Sequence, residues 1–227
     1  MKVNFRTPLF LTVLVLLSAV VACGTQAPPQ ASNENQDTPS PAPATSAAIS
    51  SDPQTTVTNV LGDFAKAPPY HVTMTVTTDT STLNMNADVI LPDRFHIISE
   101  HQGNSTEMLI VGDKSYNKVN GQWVESPFDI ADLTSSFTSA IGKDTTISNV
   151  QFVKTNTVNG VSANVYTFDS HYDSQGLIVD ASTTMWVGTS NGLPLKLEVD
   201  STANDIKSHT EETIEYDPSI TIEAPAQ

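Results

Sequence analysis

Period-two alternation of apolar and polar residues dominates this chain from about residue 70 to its end, and it narrows the possible folds more than any other feature. Tyr70, Val72, Met74 and Val76 alternate with His71, Thr73, Thr75 and Thr77. Leu83, Met85, Ala87, Val89 and Leu91 alternate with Asn84, Asn86, Asp88 and Ile90. Successive side chains of a strand point to opposite faces, so this pattern describes strands with one buried and one wet face. Further runs span 94–100, 107–111, 115–119, 122–124, 147–155, 161–171, 182–187, 195–200 and 208–216. Asn120-Gly121 and Asn159-Gly160 separate neighbouring runs and are the preferred residues of two-residue hairpin turns. Asn191-Gly192, followed by Leu193-Pro194, predicts a longer loop. Short connections join antiparallel neighbours, and antiparallel sheets tolerate one solvated face.

Only two segments have helical periodicity. Asp52-Pro53 supplies a cap and a first-turn proline, and Val57, Val60, Leu61 and Phe64 follow at the spacing of one helix face before Pro68-Pro69 ends it. Ser126-Pro127 repeats the signature ahead of Ile130, Leu133, Phe137, Ala140 and Ile141, with Gly142 as the stop. The expected fold is therefore α+β and mainly β. It is a large curled antiparallel sheet of about ten strands, an unclosed half-barrel, with two or so helices covering its concave face.

The N-terminus is of a different kind. Lys2 and Arg6 precede an apolar run from Leu9 to Val21, which is too short to span a bilayer and has the length of a signal-peptide core. It ends Ala19-Val20-Val21-Ala22-Cys23-Gly24, which resembles the bacterial lipobox. The resemblance implies cleavage after Ala22 and a lipid anchor on Cys23, in a bacterial envelope outside the cytoplasm. Cys23 is the only cysteine, so the domain holds together without an internal disulfide. Three segments are expected: a signal peptide over 1–22, a lipidated tether over 23–52, and a folded domain over 53–227. The tether has many Pro, Ser, Thr and Ala residues and no aromatic, a composition that cannot bury enough apolar surface to fold.

Charge excludes one class of partner. The full chain has a net charge of −15, and losing Lys2 and Arg6 with the signal peptide leaves −17, 8 Lys and Arg against 25 Asp and Glu. So acidic a chain has no basic surface for nucleic-acid phosphates. Catalytic signatures are also missing: there is no Gly-x-Ser-x-Gly, no Ser-x-x-Lys and no phosphate-binding glycine loop. His71, His96, His101, His171 and His209 show no metal-ligand spacing. His96 and His101 lie an odd number of residues apart, so an unbroken strand sends them to opposite faces. Asp200, Asp205, Glu211, Glu212, Glu215 and Asp217 read as a solvated, edge-protecting sheet face. No enzyme activity, cofactor or metal is expected.

The order of motifs along the domain resembles the LolA/LolB-type lipoprotein-carrier superfamily, and within it the LppX/LprG-like lipoproteins. The cues are a helix leading into Pro69-Tyr70-His71-Val72-Thr73, then Gly112-Asp113-Lys114-Ser115-Tyr116 and Val119-Asn120-Gly121-Gln122-Trp123. Met185-Trp186-Val187, Gly192-Leu193-Pro194-Leu195-Lys196 and Tyr216-Asp217-Pro218 complete them. The resemblance implies an apolar cavity between sheet and helices, and the binding or carriage of lipids or acylated molecules. Its other branch implies an envelope sensor that binds a protein partner. Flexible and aromatic side chains suit such a cavity. The candidate lining is Val57, Val60, Leu61 and Phe64 with Val72, Met74, Val76, Leu83, Met85, Met108 and Trp123, and further Ile130, Leu133, Phe137, Ile141, Met185 and Trp186.

Overall fold

A computed structural model of the chain describes residues 52–126, 145–174 and 177–225. The described residues form one α-helix, α1 (Pro53–Asp63), a 3-10 turn (Phe64–Lys66), and eleven strands. These are β1 (Tyr70–Thr78), β2 (Thr82–Ile90), β3 (Arg94–His101), β4 (Asn104–Val111), β5 (Lys114–Val119) and β6 (Gln122–Ser126). The second series is β7 (Thr145–Val158), β8 (Val161–Ser174), β9 (Leu177–Gly188), β10 (Pro194–Ala203) and β11 (Ile206–Tyr216). The helix expected after Ser126-Pro127 lies outside the described residues, as do the signal peptide, Cys23 and the tether. No described helix is long and apolar enough to cross a membrane.

All strands join one antiparallel sheet in the order β6-β5-β4-β3-β2-β1-β11-β10-β9-β8-β7. Two meanders run outward from a central seam, where β1 pairs with β11 from Tyr70↔Tyr216 to Thr78↔Ser208. The first and last strands of the domain thus sit side by side in its middle, while β6 and β7 form open edges. Asn120 and Gly121 have φ of 51° and 80°, and Asn159 and Gly160 have 48° and 82°. Both pairs take the two left-handed residues of a type I′ turn, whose twist matches the strands it joins. Asn191-Gly192 forms the longer loop expected, closed by Gly192 N donating to Gly188 O and Leu193 N to Asn191 Oδ1.

Helix α1 begins as its sequence dictates. The Asp52 carboxylate accepts from Thr55 N at 2.9 Å, satisfying a first-turn donor, and Pro53 follows in the first turn. Val57 and Val60 are fully buried against Tyr166, Phe168, Met185 and Val187 of β8 and β9. Phe64 packs on Tyr70, ring centroids 5.6 Å apart, and so ties the end of the helix to the start of β1. A larger apolar cluster fills the same face of β1–β4 and β11, with Tyr70, Val72, Val89, Phe95, Ile97, Ile110 and Ile214 at its centre.

The opposite face also has a small apolar cluster, covered by the C-terminal segment. Arg94 Nη1 donates to Ile222 O at 2.8 Å and Asp217 N to Pro69 O at 2.9 Å, which lays residues 217–222 across the outer face. Ile222 is 5% exposed and packs with Leu109 and Tyr116. Ile222→Ala is expected to cost about 2 kcal/mol, the low end for a buried Ile or Leu truncation. It should also raise amide exchange in 217–222 before any change in β1–β4; uniform exchange across the sheet would mean the segment is no separate cover.

Candidate functional site on the helix-bearing face

Strand register decides which side chains share the helix-bearing face. One row crosses the sheet as Ser99, Met85, Met74, Glu212, Leu197, Met185 and Tyr166, from β3 to β8. Beside it runs Met108, Ile97, Ala87, Val72 and Ile214. On its other side run His101, Leu83, Val76, Thr210, Val199, Thr183 and Phe168. Met85, Val72, Val76 and Met185 are buried. Met74, Leu83, Met108 and Leu197 are only half-buried, although they lie among them. The face is therefore largely apolar, with partly exposed apolar side chains across its middle.

Most of the expected lining residues meet on this face. Val57, Val60, Leu61 and Phe64 reach it from α1 and the turn after it, and Val72, Met74, Val76, Leu83, Met85, Met108 and Met185 from the strands. Ile130, Leu133, Phe137 and Ile141 lie outside the described residues. The two tryptophans are not there. Trp186 pairs with Val165 and Lys196 on the outer face, opposite to Met185, and Lys196 Nζ sits 5.1 Å from its ring centroid. Trp123 packs under Ile222 in the outer cluster, 6.2 Å from the His96 ring and 5.3 Å from Lys118 Nζ. Each indole lies against a lysine ammonium, where an amphipathic ring is well satisfied.

The acidic C-terminal stretch also divides. Glu211 and Glu215 face outward, and β11 is a central strand, so edge protection is not its role. Glu212 faces inward, between Met74 and Leu197. Its parity with Ile214 and Tyr216 is legible in the sequence, but the acidic run around it conceals it. Burial pushes the Glu212 carboxyl up to about 7. Its side chain is half-buried, and the apolar neighbours Met74 and Leu197 leave its charged form poorly solvated. Tyr70 and Tyr216, edge to face at 5.9 Å, are held above the ordinary phenol range, first by burial. Tyr216 Oη donates to Pro194 O at 2.8 Å. Thr210, two residues from Glu212 on the same face, is 3% exposed, and its Oγ1 has no hydrogen-bond partner among the described residues.

The outer face is polar and pairs charge with charge. His71 bonds Asp88; His96 meets Glu107 at 3.0 Å; His171 meets Asp180 at 2.6 Å; His209 meets Asp200 at 2.7 Å. Lys118 and then His96 hold Glu107 below the usual carboxylate range, and Asp200 raises His209. His101 points the other way from His96, as their spacing requires, and its Nε2 is buried without a partner among the described residues. A polar groove of ≈ 320 Å³ lies on this face between Asn149, Asp169, Ser182, Glu198, Asp200 and His209. Its charges are already matched: Asn149 Nδ2 and Ser182 Oγ both donate to Asp169, at 2.7 and 2.6 Å. Among the described residues no three His, Cys, Asp or Glu side chains form a metal-holding group.

An open antiparallel sheet with a helix on one face is also the fold of a solved bacterial lipoprotein. Over 76% of this chain and 100% of the other, the Mycobacterium tuberculosis lipoprotein LppX superposes with a TM-score of 0.55 at 14% identity. A LolA superfamily protein from Nitrosomonas europaea matches 73% of this chain and 93% of its own, at a TM-score of 0.32 and 7% identity. MucB matches over 78% of this chain and 64% of its own, at 0.43 and 14%. No protein-family model matches the chain, and no curated protein sequence does.

Proposed function

We propose that this chain is a lipid-anchored protein of the bacterial envelope that holds lipids or acylated molecules against the helix-bearing face of its sheet. Cys23 is the anchor, residues 1–22 the signal peptide and 23–52 the tether; the domain acts by binding and performs no chemistry. The observation behind this reading is the band of half-buried Met74, Leu83, Met108 and Leu197 within an otherwise buried apolar face. Side chains of that kind, left partly open inside a fold, are surface that an acyl chain can cover. Each methylene removed from water is worth about 0.8 kcal/mol, so a palmitoyl chain gains on the order of 10 kcal/mol before ordering costs. Methionine adapts its three rotatable bonds to varied ligands. The solved neighbour LppX is by name a lipoprotein, in keeping with the lipobox-like run at Cys23.

Native mass spectrometry of the purified full chain, with organic extraction, tests the reading. A discrete added mass that extracts as lipid is expected. Met74→Glu and Met85→Glu should each lower its occupancy about ten-fold or more while the far-ultraviolet spectrum is kept, because each buries a charge where the chain would lie. A bare mass, with no uptake from offered lipids, would remove the carrier reading and shift attention to a protein partner.

A further inference from the structure

Two polar side chains of β11 interrupt the apolar face at its centre. Glu212 and Thr210 lie two residues apart on one face of β11, about 7 Å along the strand. Among the described residues Thr210 Oγ1 is buried with no hydrogen-bond partner, and the half-buried Glu212 carboxyl makes neither a hydrogen bond nor an ion pair. A buried polar group without a partner costs free energy, and a native fold rarely keeps one beside a desolvated carboxyl on an apolar face for nothing. The titratable groups coupled to Glu212 are the phenols of Tyr70 on β1 and Tyr216 on β11. On this face β10 presents Leu197 and Val199, β1 presents Val72, Met74 and Val76, and α1 brings Val57, Val60 and Leu61. No described Lys or Arg faces it, and the remaining ionisable imidazole on this face, His101 of β3, lies three strands from Thr210 along the same row.

We propose that Glu212 and Thr210 are the polar attachment point of the ligand site, selecting a neutral, ester-linked acyl lipid over a free fatty-acid anion and releasing it when Glu212 ionises. This rests on the lipid-holding reading above. A neutral carboxyl donates one hydrogen bond and a threonine hydroxyl another, and ester carbonyls are the matching acceptors. A fatty-acid carboxylate would face the Glu212 acid with no cation to balance it. Once ionised, Glu212 no longer donates and instead repels carbonyl oxygen.

The experiment offers dipalmitoylglycerol, and separately palmitate, to the full chain at pH 5.5 and 8.5, and reads bound lipid by native mass spectrometry. Wild type should bind dipalmitoylglycerol about ten-fold more weakly at pH 8.5, the scale of one hydrogen bond at a buried charged group, and prefer it to palmitate. Glu212→Gln keeps a donor and no charge, so it should bind equally at both pH values. Thr210→Val should weaken binding several-fold at pH 5.5 and leave the ratio between the two pH values unchanged. A wild type that binds equally at both pH values, or a Glu212→Gln chain with the wild-type profile, would overturn the attachment point and leave the lipid-holding reading standing. No uptake by any chain at either pH would sink both.

Discussion

Glu212→Gln is expected to stabilise the protein by about 2–3 kcal/mol at pH 8 and to leave it nearly unchanged at pH 4. The carboxyl titrates at about 7 in the folded chain, against 4.5 for the free side chain. Between these values the folded state holds a proton that the unfolded state has lost, so wild-type stability falls as pH rises from about 4.5 to about 7 and then levels off. Below the window both states are protonated and the carboxyl adds no penalty. Glutamine has nearly the same shape and no charge to desolvate, so the variant should lack this slope. Urea unfolding of both proteins at half-unit pH steps gives the comparison. Parallel curves would mean that Glu212 is solvated and does not face the apolar band. The sign is informative in itself, because removing a carboxylate that formed a native ion pair would destabilise the protein over the same range.

Phe95→Ala should have the largest effect on folding, a loss of about 3–5 kcal/mol. Phe95 is 0% exposed and lies in register between Val89 and Ile110, with Tyr70 beyond Val89 on the central strand β1. Strand backbones on both sides restrain collapse, so truncation leaves a cavity as well as losing apolar burial. Domains of this size have only about 5–15 kcal/mol in total. Trp186→Ala removes a larger side chain from the outer face, where the indole is half-buried beside Lys196. It should cost less than Phe95→Ala, and equilibrium unfolding compares the two directly. A larger loss at Trp186 would place the main core on the other side of the sheet.

Alternation along the chain was enough to predict the strands, and the reason is local. A strand's faces are set by parity, and Asn-Gly sets hairpin twist, so runs such as Tyr70–Val76 and the turns at Asn120 and Asn159 follow from neighbours in sequence. The cap at Asp52 is local in the same way. Parity also held what was misjudged. Trp186 alternates with Met185 and shares a face with Thr184 and Ser182, and Glu212 shares one with Ile214 and Tyr216. Weighing residue type above parity sent the indole inward and the carboxylate outward. In the five residues of β6 the alternation is too brief to orient Trp123.

The tertiary structure alone decided the rest. Nothing local requires β1 to pair with β11 across more than a hundred residues; that seam forms because Tyr70, Val72 and Val76 find Tyr216, Ile214 and Thr210 in register. It turns one apparent meander into two halves about a shared centre, and makes the acidic last strand a central one. The same pairing sets Glu212 between Met74 and Leu197, and folding the C-terminal segment over Leu109 and Tyr116 gives Trp123 its cover. Alternation assigns each residue to one of two faces. Which face takes the helix, and which neighbours a side chain meets there, depends on contacts between segments far apart in the chain.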